Sequence, residues 1–155
     1  MKYFVAAVLP LLVACGTNIS SIPVADNSSA DAVFRDVNRY RTSLGKAPLV
    51  RHPGLDALAQ RHSESMMRNG KTPNHQGFSD RVAAARSAYH FSSMHENTAT
   101  GPRGTSFTRV WAASRAHAPA MRAKWTYTGI GLATGKDGYL YATQIFASGG
   151  LQAHP

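Results

Sequence analysis

Trp111-Ala112-Ala113-Ser114-Arg115-Ala116-His117, taken with His75 and with Glu96-Asn97 upstream, is the stretch on which the reading of this chain turns. Phe107, Val110, Trp111 and Ser114 recur at helical spacing behind Ser106, a residue suited to cap a helix start. His117 follows that helix, and Pro119 prevents its regular continuation. Two histidines and a carboxylate are therefore scattered between positions 75 and 117. They meet only if the fold brings them together, so their chemistry depends on tertiary structure.

Outward from this segment the elements fall into an order. Val33, Val37, Tyr40 and Leu44 mark a first helix, with Ser29 or Asp31 as its cap and Gly45 as its end. Leu49-Val50 reads as a brief extended piece. A second helix follows His52-Pro53, with Leu55, Leu58, Ala59, His62 and Met66 on one face and Gly70 as terminator. Residues 71–77 form a loop that holds His75, and Ser79 or Asp80 caps a third helix with Val82 and Ala85 inward. Residues 93–99 read as extended, and Gly101-Pro102-Arg103-Gly104 breaks the chain before the fourth helix. Residues 128–134 and 138–147 form two strands around Gly135-Lys136-Asp137-Gly138. Helices come first and strands mostly last, which gives the class α+β.

A length of 155 residues supports one compact domain, and 43% hydrophobic with 16% charged residues is a globular composition. Seventeen Lys and Arg face eight Asp and Glu, for a net charge of +9. That balance favours anionic partners such as an anionic lipid or envelope polymer, but a generic basic surface is the plainer reading, because the arginines are spread along the chain. Nucleic acid is not expected, because the arginines form no run and lack aromatic interleaving. Arg35, Arg39, Arg41, Arg61 and Arg68 are instead expected to decorate the solvated faces of the first two helices.

The N-terminus sets the expected compartment. Met1-Lys2 is a short positive region, Tyr3 to Val13 is apolar but too short to span a bilayer, and the only cysteine, Cys15, follows a small residue. This resembles the lipobox of bacterial lipoproteins, in which the thiol receives a diacylglycerol. The expected organisation is a signal peptide over 1–14, a lipidated Cys15 with a polar tether over 15–29, a folded domain over 30–149 and a short tail over 150–155. Gly16 after the cysteine resembles the pattern sorted to the outer membrane in a Gram-negative host. The expected location is extracytoplasmic and membrane-anchored.

His75 stands in a polar loop, where an imidazole is free to bind metal or relay protons, although functionless loop histidines are common. His117 at a helix end, taken alone, reads better as a capping histidine than as a ligand. Glu96 is one of only two glutamates and lies in an extended segment, where a carboxylate could orient a ligand histidine or activate a water, or merely cap or pair with one of the many arginines. In a strand, His95 and Glu96 point to opposite faces and do not share a site. His95-Glu96 also opens like the zinc-protease helix motif, but Ala99 takes the place of its second histidine, so that reading fails. His62 reads as a hydrogen-bonded residue on the apolar face of the second helix.

In order, these pieces resemble the CAP superfamily (cysteine-rich secretory proteins, antigen 5 and pathogenesis-related 1 proteins, also called SCP-like), and within it the short bacterial branch. Asn38-Arg39-Tyr40-Arg41 with Leu44-Gly45 looks like its first helix, and Leu55-Asp56-Ala57-Leu58-Ala59-Gln60 with His62 and Met66 like its second. His75 falls at its first site histidine, and Asp80-Arg81 begins the helix after it. His95-Glu96-Asn97-Thr98-Ala99 resembles the Gly-Glu-Asn segment. Trp111, Ser114, His117 and Met121 keep the spacing of the bacterial tryptophan–serine–histidine segment. Ile130-Gly131-Leu132-Ala133 and residues 141–146 look like the closing strands.

The resemblance implies an α-β-α sandwich around a central, mainly antiparallel sheet, with a cleft of histidines and acids able to bind a divalent cation such as Zn²⁺. His75 and His117 are the implied metal residues, with Glu96 as a further ligand or as their outer partner, and His95 and Ser114 line the cleft. Three departures stand out: His95 replaces the usual glycine, Ser114 stands where many eukaryotic members have a second acid, and Ala120 occupies a frequent asparagine position. The expected function is a lipid-anchored binding module for a lipid or envelope ligand. The alternatives are a metal-assisted hydrolase with Glu96 as general base, and a structural envelope protein with a vestigial cleft. Oligomeric state is left open.

Overall fold

The computed structural model describes residues 29–70 and 72–150. The expected signal, Cys15, nearly all of the tether and residues 151–155 lie outside the described residues. Five helices and four strands follow in the order α1 (Ala30–Ser43), β1 (Val50–Arg51), α2 (Pro53–Arg68), α3 (Phe78–Tyr89), β2 (Phe91–Gly101), α4 (Phe107–Ala113), α5 (Ala118–Arg122), β3 (Tyr127–Thr134) and β4 (Leu140–Gly149). The strands form one sheet in the order β1-β3-β4-β2. Only the β1–β3 pair is parallel; β3–β4 and β4–β2 are antiparallel.

The period of two along the strands sorts their side chains into two cores. On one face Val33 and Val37 of α1 meet Phe107 and Trp111 of α4, Met121 of α5, and Ile130, Leu140 and Phe146 of the sheet. On the other, Leu55, Leu58 and Ala59 of α2 and Ala85 of α3 cover Phe91, Tyr127, Ile145 and Ala147. Helices on both faces of a mainly antiparallel sheet make an α-β-α sandwich.

Helix α2 lies unusually close to β3. A methyl group on Gly129 would come within 2.2 Å of the Leu55 carbonyl carbon, and one on Gly131 within 2.2 Å of that of Ala59. Because β1 ends at Arg51, the outer edge of β3 beyond it lacks a strand partner. Side chains one helical turn apart take that role. Asp56 Oδ1 accepts from the Ile130 N–H and Gln60 Oε1 from the Leu132 N–H, at 2.8 and 2.9 Å.

Several local expectations are revised. Ser29, not Asp31, caps α1 through a bond from the Ala32 N–H. Leu44 lies past the end of α1 and is 46% exposed, and Val110 faces outward on α4, so neither belongs to the core. Helix α3 starts at Phe78, ahead of the expected cap, and β2 runs longer than residues 93–99. Arg41 is not on a solvated face. It is buried and donates to the carbonyls of Ala47, Met121 and Ala123, tying the end of α1 to the end of α5. The carbonyl-rich end of a helix suits a cation, which is why this guanidinium lies inside without a carboxylate.

A second buried polar group has no such compensation. His52, at the start of α2, has both ring nitrogens buried without a partner, and Tyr89, Phe91 and Tyr127 surround it edge-on at 4.6, 5.2 and 5.8 Å. Burial pushes its pKa down, with nearby Asp56 opposing in part. The unfolded chain therefore binds a proton that the folded chain resists. The contribution to stability is fully present above about pH 6.5 and is lost as the pH falls through the lower folded value. His52→Phe is expected to match or exceed the parent at pH 7 and to lose less stability towards pH 5. Denaturation midpoints across that range measure it; an unchanged pH slope would show that His52 is not a source of acid sensitivity.

Candidate functional site

Strand β2 is an edge strand, and its two faces carry different chemistry. Glu96 pairs across the ladder with Ile145 and faces α2, whereas His95 pairs with Phe146 and faces α1, α4 and α5. The alternation expected from the sequence thus separates the two neighbours.

Glu96 is the hub of the first face, and its side chain is only 1% exposed. Arg81, in the first turns of α3, grips it as a fork: Nε donates to Oε2 and a terminal nitrogen to Oε1, both at 2.8 Å. His75 Nδ1–H donates to the same Oε1 at 3.0 Å. His62 Nε2 lies 3.8 Å from Oε1 and donates instead to the Asn74 carbonyl at 2.8 Å. Arg81 also binds the Gln76 carbonyl, so His62 and Arg81 pin the loop that carries His75 from both sides. Gly77 closes that loop at φ +72°, a left-handed conformation that favours glycine, and starts α3 at a point where Arg81 reaches Glu96.

His117 lies on the other face. It is the residue before α5, with Pro119 in the first turn of that helix, rather than a cap at the end of α4. Proline has no N–H to lose there, so Pro119 helps begin α5, and α4 has already ended at Ala113 without it. The Asn97 side chain reaches the His117 carbonyl, and His117 Nδ1 is buried without a partner. Burial pushes the pKa of His117 down, and the nearby His75 and His95 rings push in the same direction. His75 and His117 are therefore within electrostatic reach of each other, while His117 makes no bond to Glu96. His95 stacks against Trp125 and lies beside Phe146, both at 6.4 Å between centroids, and burial lowers its pKa. Ser114 lies at the end of α4, half-buried beside the turn into His117.

The donor set constrains how a divalent ion would fit. Glu96 does not suit direct coordination: Arg81 and His75 occupy its oxygens, and the side chain is sealed from solvent. It does suit the outer role, holding Nδ1 of His75 and leaving Nε2 of a half-exposed ring to face a ligand. Among the described residues, no three His, Cys, Asp or Glu side chains are gathered as a metal cage. Arg81 and His62 were not among the candidates read from sequence. The sequence offers only the general signal that a glutamate in a strand with a buried face needs a cation, and does not single out Arg81 as its source.

The family model for CAP, the cysteine-rich secretory protein family, matches residues 34–146. The chain belongs to the CAP family. Solved structures share the fold. An outer surface protein of Borrelia burgdorferi superposes with a TM-score of 0.67 at 15% identity, covering 76% of this chain and 90% of that one. An extracellular SCP-domain protein of Bacillus anthracis superposes with a TM-score of 0.64 at 20% identity, covering 80% of this chain and 41% of its own. A cysteine-rich secretory protein of Staphylococcus aureus gives 0.57 at 15% identity, covering 77% of this chain and 38% of its own. This chain thus spans about two-fifths of the Bacillus and Staphylococcus proteins. A search of curated proteins finds no match.

Proposed function

We propose that the chain is an extracytoplasmic, lipid-anchored CAP-domain binding module whose cleft carries a divalent cation, Zn²⁺ being the best fit, on His75 and His117 and receives a lipid or envelope ligand. The observation that carries this reading is the state of Glu96. A general base needs an oxygen turned towards a water, and the Glu96 carboxylate is instead buried and occupied by Arg81 and His75. It acts as an orienting group for His75, which suits binding better than hydrolysis. Fold membership alone leaves that choice open. The outer-surface and extracellular descriptions of the Borrelia and Bacillus structures support the compartment. The N-terminal pattern around Cys15 supports the anchor.

Calorimetric titration of Zn²⁺ tests the site. One ion per chain should bind, with binding lost in both His75→Ala and His117→Ala; a folded protein that takes up no zinc removes the metal from the reading. The anchor has its own test. Cys15→Ser should move the protein from the membrane fraction to the soluble one, and retention in the membrane would mean that a lipid on this thiol is not what holds it.

A further inference from the structure

The charge of this protein is divided unevenly along the chain. Up to Glu96 most of the described acids are matched: Asp36 pairs with Arg39, Asp31 and Asp56 with Arg51, Glu64 with Arg68 and Glu96 with Arg81, while Asp80 makes no ion pair among the described residues. Between Glu96 and Asp137 there is no acidic residue at all, while Arg103, Arg109, Arg115, Arg122, Lys124 and Lys136 all fall there. Each of these six is exposed, and none has an ion-pair partner among the described residues. The segment through α4 and α5 thus carries basic residues with no acid among them, although Arg35, Lys46, Arg61 and Arg86 are also exposed and outside the ion pairs of the described residues.

An open cavity of about 310 Å³ lies in that segment, where α4 turns into α5. Ala112, Ala113 and Pro119 give it an apolar lining, Ser114 a hydroxyl, and Arg115 and Arg122 two guanidinium groups. Arg122 is held in place, because its Nε donates to the Tyr40 hydroxyl at 2.9 Å and leaves the terminal nitrogens free. No carboxylate lines the cavity. A planar guanidinium recognises phosphate oxygens in pairs, and an apolar lining beside it suits the carbon atoms next to a phosphodiester. The neighbouring α4 also presents Val110, 42% exposed, beside Arg109. Basic residues next to an exposed apolar side chain are suited to the boundary of a bilayer.

We propose that the cavity between α4 and α5 binds the phosphate of an anionic phospholipid headgroup through Arg115 and Arg122, laying this face on a membrane. The site adjoins the proposed cleft through Ser114 and the turn that carries His117, but it uses neither His75 nor Glu96 and needs no metal. It rests on the proposed extracytoplasmic placement only for where the lipid is met.

The test uses the full chain carrying Cys15→Ser, so that an acyl anchor does not contribute, and measures co-sedimentation with vesicles. Phosphatidylcholine vesicles with added phosphatidylglycerol should bind the protein, and pure phosphatidylcholine vesicles should bind it far less. Arg115→Gln/Arg122→Gln should weaken binding to the anionic vesicles by about thirtyfold, the loss expected for two basic groups at such a surface. Arg35→Gln/Arg61→Gln removes the same charge from α1 and α2 and should change binding only slightly. Equal losses in the two double variants would overturn the site in favour of general charge attraction. Binding of inorganic phosphate to the parent with no preference for anionic vesicles would overturn the lipid as its source.

Discussion

Arg81→Ala should be among the most damaging single substitutions in this protein. It leaves the Glu96 carboxylate buried, with only the His75 imidazole bonded to it. Removing one partner of a buried ion pair typically costs about 3–5 kcal/mol, because the remaining charge has lost both water and counter-ion. For a domain of this size that corresponds to a fall in Tm on the order of 10 °C. Arg81→Lys should recover only part of the loss, since an ammonium cannot bridge both oxygens and the Gln76 carbonyl as the guanidinium does. The double variant Arg81→Met/Glu96→Gln should be more stable than Arg81→Ala, because it removes the stranded charge. Arg81→Ala should also loosen the His75 loop and weaken zinc binding roughly 10- to 100-fold, the usual cost of losing an outer-sphere partner. Thermal unfolding and zinc titration of the same three variants check both parts. A Tm within a degree or so of the parent would show that Arg81 does not sustain the buried carboxylate.

Gly131→Ala should be of comparable severity for a different reason. The added methyl group would stand 2.2 Å from backbone carbon of α2, and backbone cannot rotate aside as a side chain does. Either α2 lifts from β3 or β3 bends away, and both break the Gln60 bond to the Leu132 N–H and the Ser63 bond to the Gly131 carbonyl. Overpacking ordinarily costs about 1–3 kcal/mol, and the loss of buried hydrogen bonds places this substitution at or above the upper end. Chemical denaturation measures it. A midpoint equal to that of the parent would mean that α2 does not rest on this strand as described.

Much of this architecture is legible in the sequence because its signals are local. Ser29 and Ser106 cap helices whose apolar periodicity is clear, and Gly135-Lys136-Asp137-Gly138 sits between two β-rich runs. What escapes is decided by distant neighbours. The starting point of α3 depends on the left-handed turn at Gly77, which outweighs the better caps Ser79 and Asp80. Helix α5 has only five residues, too short for a periodic signal, and its proline reads as a stop. Arg41 resembles its exposed neighbours on α1 until α5 brings its last carbonyls over it. At the site, His75 and Glu96 stand out by residue type and context. Nothing in the sequence alone says which of twelve arginines reaches Glu96, or that His62 positions the loop instead of merely filling the core.

The seating of α2 on β3 also bears on how this protein avoids its own kind. A strand edge with open N–H groups is a template on which another chain's strand can add, the first step towards fibrous aggregates. On this sheet Asp56 and Gln60 fill the donors of Ile130 and Leu132 from within the same molecule, so an incoming strand finds them taken. Two polar residues one turn apart thus guard solubility as well as shape.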